Sequence, residues 1–378
     1  MTSRPQALSS EFVESLQQVV GDAHVLTDDL AGYGTDWTGR FIGAPSVVVR
    51  PANTSEVSHI LQLCSKHNIA VVPQGGNTGL VGGTLASEGH VIVSTLRLNS
   101  LGPVDAASQQ ISVGAGVTVE QVHEAAKSHG LRYAVDFGAR GSATIGGTIA
   151  TNAGGINVLR FGSTRHQVVG IEAVLPNGDV IEHMAGLIKD NTGYDIASLL
   201  CGSEGTLGII TKIVMKLIPK VNHTVLMLVP FYEANQACEA VSAIFRAGII
   251  PSALEFMERD AIDWSVKYLD GISVEVKPEH QAHLLIEVDG NYPEILMQEA
   301  EKILEVVEQF EIDEVLFADT EDQKNALWKM RRGVAEAVKA NSIYKEEDTV
   351  VPRYELPKLL KGIKEIGSKY GFQSVCYG

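Results

Sequence analysis

Positive charge, cysteine and long apolar runs are what this sequence has little of. Lys and Arg number 30 against 46 Asp and Glu, a formal net charge of −16, which argues against nucleic acid and anionic membrane as partners. An anionic ligand would have to be drawn by local positive charge. The four cysteines, Cys64, Cys201, Cys238 and Cys376, stand far apart with no C-x-x-C spacing. That excludes a disulfide framework or a zinc knuckle and points to a reducing compartment. The first twenty residues carry Glu11 and Glu14 in a helical pattern and no apolar core, so no signal peptide is read. The longest uncharged stretches are glycine-rich, with backbones that lipid could not satisfy, so no spanning segment is read either. Two familiar phosphate loops are missing as well. There is no Gly-Lys pair, hence no P-loop, and no G-x-G-x-x-G.

What is present is a different glycine loop. Pro73 to Thr84 reads P-Q-G-G-N-T-G-L-V-G-G-T, uncharged, between the β runs 69–72 and 90–94. Such a run buries little and gives up backbone entropy, so its use lies in its main chain: converging N–H groups form a concavity suited to phosphate. Gly138 to Gly155, G-A-R-G-S-A-T-I-G-G-T-I-A-T-N-A-G-G, repeats the style, and so does Gly202 to Ile209. Three bare backbones within about 140 residues point to one long ligand, diphosphate at one loop and planar ring at another. Flavin adenine dinucleotide (FAD) fits that description.

The length implies more than one domain. The expected division is an N-terminal helix and loop over 1–42, a nucleotide domain over 43–220 and a cap over 221–378. Residues 9–20 read as a surface helix with Phe12, Leu16 and Val19 on one side. Strand 46–50 and a helix capped by Asn53 or Thr54, with Val57, Ile60, Leu61 and Cys64 inward, lead to the first loop as a β-α-β unit. A strand at 111–113 and a Thr118-x-x-Gln121 capping box repeat the arrangement. Asn177-Gly178 marks a hairpin, and 209–218 is a strand. Beyond 220, strands at 224–230, 252–257, 283–288 and 313–318 alternate with helices at 233–247, 293–310 and 321–341. That alternation predicts an α+β fold whose sheet is covered on one face.

The two glycine stretches, Asn191-Thr-Gly-Tyr-Asp195 and Gly202-Ser-Glu-Gly-Thr-Leu-Gly-Ile-Ile210 resemble the FAD-binding domain of the vanillyl-alcohol oxidase and p-cresol methylhydroxylase (PCMH) superfamily. Within it the pattern is most similar to D-2-hydroxyglutarate dehydrogenases, with FAD-linked D-lactate dehydrogenases and glycolate oxidase large subunits nearby. The resemblance implies two α/β subdomains enclosing FAD, then a ferredoxin-like α+β cap for the substrate. Carried over by position, Pro73, Gln74, Gly75, Gly76, Asn77, Thr78, Gly79 and Leu80 would wrap the diphosphate. Gly141, Ser142, Thr144, Ile145, Gly146 and Gly147, with Asn152, Ala153, Gly154 and Gly155, would contact ribityl and ring. Glu204, Gly205, Ile209 and Ile210 would close on the flavin side. Relatives that attach FAD covalently often carry a histidine where this chain has Asn77, so noncovalent FAD is expected.

For the cap, the resemblance implies that Arg331, on a helix begun by the Thr320-x-x-Gln323 capping box, binds a substrate carboxylate through two parallel hydrogen bonds. The family's next lysine falls near Lys345, which would contact a substrate carboxylate, the second, distal one where the acid has two. A hydroxyl expected one turn after Arg331 is replaced by Ala335, and the chain stops at Cys376-Tyr-Gly378, where the family continues into a His-rich metal motif. The C-terminal part is therefore expected to be missing, with a divalent metal such as zinc belonging only to a longer form. The resemblance implies oxidation of a D-2-hydroxy acid by hydride transfer to flavin N5. Electrons would pass on to an electron-transfer flavoprotein, quinone or cytochrome. The expected location is cytoplasmic, or peripheral at the inner membrane through that acceptor, with a homodimer left open. Two alternatives stay open: a flavin-binding chain that is chemically incomplete, truncated or completed by another subunit, and a same-fold FAD enzyme with another substrate, such as an ether-lipid synthase or a nucleotide-sugar reductase. Of the remaining candidates, His280 and His283 are expected to point to opposite faces of a strand, His166 to be a hydrogen-bonding residue, and Glu255 a solvent-facing group at a strand end.

Overall fold

The computed structural model describes residues 8–272, 274 and 276–378. The chain forms two compact units: residues up to Gly155 together with Phe161–Lys220, and Ile156–Arg160 together with Val221–Gly378. The short strip Ile156–Arg160, just after the second glycine stretch, thus belongs to the second unit, where Arg160 ion-pairs with the buried Asp289.

The first unit contains helices α1 (Ser10–Val20), α2 (Ala31–Gly34), α3 (Thr54–Lys66), α4 (Val119–Lys127), α5 (Ile145–Ala150), α6 (Val158–Phe161, which begins in the strip) and α7 (Ile196–Leu200). Its strands are β1 (Val25–Leu26), β2 (Val47–Val49), β3 (Val71–Gln74), β4 (Val91–Ser94), β5 (Leu101–Asp105), β6 (Gln110–Gly114), β7 (Leu131–Arg132), β8 (Val168–Val174), β9 (Val180–His183), β10 (Ile209–Lys216) and β11 (Ile218–Pro219). Four strands form a sheet in the order β1-β2-β4-β3, parallel at β2/β4 and β4/β3. Five form an antiparallel sheet, β5-β6-β10-β8-β9. Every residue of β2 and β4 is buried, as a parallel strand covered on both faces should be. Asn53 caps α3 by accepting from Glu56 N, and Val57, Ile60, Leu61 and Cys64 enter the core. Phe12, Leu16 and Val20 of α1 join that core.

The second unit contains α8 (Ala234–Arg246), α9 (Arg259–Tyr268), α10 (Pro293–Val307), α11 (Glu321–Arg332), α12 (Val334–Asn341) and α13 (Leu356–Tyr370), with strands β12 (His223–Phe231), β13 (Ala253–Glu258), β14 (Ala282–Gly290) and β15 (Leu316–Phe317). The sheet order β13-β14-β12-β15, all antiparallel, is that of a ferredoxin-like β-α-β-β-α-β arrangement. Helices α8, α10 and α13 pack on one face with Leu254, Phe256, Leu284 and Ile286. Helices α9, α11 and α12 pack on the other, with Ala253, Met257, Leu285 and Leu228. The sheet is therefore covered on both faces, not one. Its sequence shows why: Leu226 to Phe231 is apolar at every position and buried at every position, the pattern of a two-sided core strand. The helix expected over 321–341 is broken at Gly333, where a Cβ would lie 2.2 Å from Leu269 Cδ1. Cys376–Gly378 extend along the open edge of β13, with Gly378 N donating to Phe256 O (2.9 Å) and Glu258 N to Cys376 O (3.0 Å).

Candidate functional site

The first glycine loop leaves the C-terminal end of β3 and is propped from below. Gln74 is buried, and its Nε2 donates to Tyr33 O (3.0 Å) and Thr84 O (3.3 Å). Asn77 sits at φ +51°; its Nδ2 donates to Thr35 O (2.8 Å) and its Oδ1 accepts from Thr84 Oγ1 (2.7 Å). With the side chains of Gln74 and Asn77 spent on scaffolding, the loop faces its ligand with peptide groups. Among the described residues no acceptor receives the N–H groups of Gly76, Asn77, Thr78 or Gly79. Four successive unclaimed donors on a partly exposed turn form the concavity that a diphosphate fills.

The glycines divide into two kinds. A Cβ on Gly76 would lie 1.9 Å from Ser142 O, and one on Gly75 2.4 Å from Thr144 Oγ1, so the first and second stretches touch backbone to backbone. A Cβ on Gly205 would lie 2.6 Å from Pro73 Cγ, which seats the third stretch on the first. Around Gly79, by contrast, nothing stands within 4 Å of such a Cβ. Gly76 is glycine because the protein is there; Gly79 opens onto free space. These observations fit FAD, a ligand needing amide donors for its diphosphate and bare backbone beside its flat parts.

The structure sorts the remaining sequence candidates. Thr144 caps α5 by accepting from Gly147 N (3.3 Å), and Ile145 is core. Gly146 sets α5 flush on Ala115, whose Cβ lies 2.6 Å from the Cβ position. Asn152 Oδ1 accepts from Ser163 Oγ (2.9 Å) and Arg165 N (3.0 Å), so its amide fixes a turn. Ala153 O accepts from Thr164 Oγ1 (2.8 Å). Ile209 and Ile210 are buried in the core at the start of β10, so their side chains hold the sheet. Gly141, Ser142, Gly154, Gly155 and Glu204 are exposed, Glu204 with φ +51° and its N donating to Ala150 O (2.8 Å). Leu80 is partly exposed beside Val81. His166 neighbours Ser163 Oγ at 3.4 Å. Tyr33 to Arg40, which by sequence is a polar, glycine-containing loop, is an ordered turn. Its centre is buried Asp36, whose carboxylate accepts from Thr38 Oγ1, Arg40 N and Phe41 N and is held below the usual carboxylate range against the cost of its burial. Asp-x-Thr at a turn was the available signal.

In the second unit, Arg331 lies at the end of α11, side chain largely buried, and does not stand alone. Its Nη2 meets Glu255 Oε2 and its guanidinium covers the Tyr377 ring at 4.9 Å. Glu255 is therefore no solvent-facing strand end: it is 6% exposed on the helix-covered face of β13. Burial pushes its carboxyl up, against the pull of Arg331. One turn earlier, Trp328 Nε1 donates to Glu287 Oε2 (3.1 Å), so α11 docks on the sheet through two glutamates. Lys345 is exposed, in an irregular segment, and ion-pairs with Glu347; no contact joins it to Arg331 among the described residues. His280 and His283 do not diverge. His280 precedes β14, and the two rings meet edge to face at 5.5 Å. His280 Nε2 lies 3.1 Å from Asp313 Oδ2, while burial, then His280 and Arg259, pushes His283 down to about 3. Among the described residues no three His, Cys, Asp or Glu side chains are grouped as metal ligands, and no helix is long and apolar enough to cross a membrane.

Comparison with known proteins agrees with this geometry. Residues 45–183 match the FAD binding domain family and residues 220–378 match the C-terminal domain of FAD linked oxidases. The chain is 35% identical to glycolate oxidase subunit GlcD of Bacillus subtilis over 98% of its own length and 79% of that protein. It is 34% identical to the mitochondrial D-2-hydroxyglutarate dehydrogenase of Arabidopsis thaliana, covering 95% of this chain and 65% of the relative. With D-lactate dehydrogenase of Anaerostipes hadrus it shares 33%, covering 93% and 73%. The chain thus spans between 65% and 79% of the length of these relatives. In fold it is similar to 4-ethylphenol oxidase from Gulosibacter chungangensis (TM-score 0.73, 17% identity, 99% of this chain and 82% of that one). It is also similar to p-cresol methylhydroxylase (TM-score 0.69, 19%, 87% and 74%). The nucleotide for which the glycine-bared first unit is shaped is FAD, and the chain belongs to the FAD-linked oxidases, a family of flavoprotein oxidoreductases.

Proposed function

We propose that this protein oxidises a D-2-hydroxy acid to the 2-oxo acid, with D-2-hydroxyglutarate, D-lactate and close analogues as the substrate class, and passes the electrons to a carrier other than oxygen. The observation that carries the reading is the row of unclaimed N–H groups at Gly76 to Gly79, supported by relatives named as dehydrogenases of such acids. FAD, when bound, supplies the acceptor for the two electrons and the hydrogen leaving Cα. The chain's own residues bind and orient. The first loop takes the diphosphate on its peptide donors, held without a covalent link because Asn77 is committed to Thr35 and Thr84. Acid precipitation should therefore leave the flavin in the supernatant. Arg331 takes the substrate carboxylate, and its planar fork fixes the orientation of Cα.

The test is an anaerobic titration of the FAD-loaded protein with D-2-hydroxyglutarate, D-lactate and D-malate. Bleaching of the flavin band by at least one of them, and by none of the L-isomers, is the expected result. A band unmoved by all three, in a protein that has retained its flavin, counts against hydroxy-acid oxidation while leaving FAD binding intact.

A further inference from the structure

The Arg331 side chain raises a question that its assignment to a substrate carboxylate does not answer: a carboxylate is already there. Glu255 projects from β13 into an apolar cluster that includes Leu285, Ala261, Ile262 and Leu327. The charged and titratable groups around the pair come from three directions. Helix α11 contributes Arg331 and Arg332, and the chain along the edge of β13 contributes Tyr377. Beyond Tyr377 lie Tyr344, Glu346 and Asp348. β14 sets Leu285 opposite Glu255, with His283 and Glu287 two positions to either side on the same face and Glu287 taking the Trp328 indole, and α9 adds buried Ser265, whose hydroxyl donates to Met330 O.

The pair is also incompletely made. Arg331 Nε is buried and has no hydrogen-bond partner among the described residues, while Nη2 of the same guanidinium lies against the buried Glu255 Oε2. Arg331 thus meets Glu255 through Nη2 and leaves its Nε–H unused, although a guanidinium can give a carboxylate two parallel bonds. A buried donor left unmet is costly, and a second anion arriving beside an ionised Glu255 would be repelled in a setting with little water to screen it.

We propose that Glu255 is a resident competitor for the Arg331 guanidinium: an incoming substrate carboxylate takes over the fork, and Glu255, giving it up, takes one proton from solvent. The inference rests on the reading of Arg331 as the carboxylate site. The exchange conserves charge, since one carboxylate enters as an anion while the other is neutralised by the proton. A neutral carboxyl is what the apolar surroundings of Glu255 favour, and burial already pushes that carboxyl up. Glu255 is then a positioning residue. It holds the guanidinium in place without ligand, at the expense of affinity that rises as the pH falls.

The test uses the FAD-loaded full chain and oxalate, a carboxylate probe with no Cα–H to lose. Calorimetric titration at about pH 7.5 in phosphate and in Tris, whose ionisation heats differ, counts protons. About one proton should be taken up per oxalate bound, and Kd should rise by up to about tenfold per pH unit where Glu255 is ionised. Glu255→Gln should bind oxalate about tenfold more tightly at that pH, with no proton uptake and a flat pH dependence. Should Glu255→Gln not fold, the two-buffer measurement on the unaltered protein decides alone. Proton-neutral binding that Arg331→Gln abolishes overturns the competitor and leaves the Arg331 assignment standing. Binding that Arg331→Gln leaves unchanged, or no oxalate binding at all, overturns both.

Discussion

Under the proposed function the two units would meet their ligands in opposite ways. The first works by removing side chains: its loop surface is made of peptide N–H groups, and the residues that support it, Gln74 and Asn77, turn their amides inward. The second works by burying charge: Arg331 and Glu255 lie in an apolar layer between a helix and a sheet, with Glu287 receiving the Trp328 indole nearby. Peptide donors suit a ligand held permanently, since they need no counterion and cannot titrate. In the proposed exchange the buried ion pair would instead serve a ligand that comes and goes, the incoming carboxylate replacing Glu255.

The largest effect expected from breaking the first half of this contrast is at Gly76. Gly76→Ala should cost about 3 kcal/mol or more, since a Cβ placed 1.9 Å from Ser142 O forces two backbones apart. It should lose FAD as well, read from the flavin absorbance per mole of protein and from chemical denaturation. Gly79→Val sharpens the point, because its side chain enters open space. The FAD-free protein should melt as before while flavin retention falls about tenfold or more. Undiminished retention would show that the loop does not hold the diphosphate.

Next in size is Arg331→Gln, which should leave flavin content intact and lower kcat/KM for the hydroxy acid by about a hundredfold, ~3 kcal/mol for a charge-assisted bond. A variant that loses flavin instead would erase the division of labour between the units.

His283 offers a third comparison, in acid. Its imidazole is pushed down to about 3 from an ordinary 6.5, so the unfolded chain binds the proton first. The stability it contributes is complete above about pH 6.5 and is lost as pH falls toward 3. Between pH 7.5 and 4.5 the unaltered protein should therefore lose about 2 kcal/mol more than His283→Phe does, measured by urea denaturation. Equal losses in the two proteins would remove His283 as a source of acid sensitivity. The smallest effect is expected at Lys345, which is exposed and ion-pairs with Glu347 at the surface. Lys345→Ala should change kcat/KM by less than about twofold; a large drop would restore it as a carboxylate ligand.

The legibility of the two units from sequence differed for the same reason that their chemistry does. A backbone site advertises itself by what it omits, so Gly75, Gly76 and Gly79 stood out in the linear string. Asn53, Thr118 and Thr320 likewise marked helix starts that formed, since a cap acts within a few residues. Glu255 gave no such sign. In L-E-F-M it is a lone charge in an apolar strand, and its partner is 76 positions away. His280 and His283 misled because the strand period was applied from His280, two residues before the strand begins at Ala282.

By itself the sequence determined the kind of first unit, the row of bare amides and the alternation of strand and helix in the second, because periodicity, capping and glycine content act over short spans of chain. Only the tertiary structure decided that the cap sheet is covered on both faces, that Gly76 is pressed on Ser142 while Gly79 faces open space, and that Arg331 already has an anion for a neighbour. Those are relations between residues distant along the chain, set by which surfaces pack together.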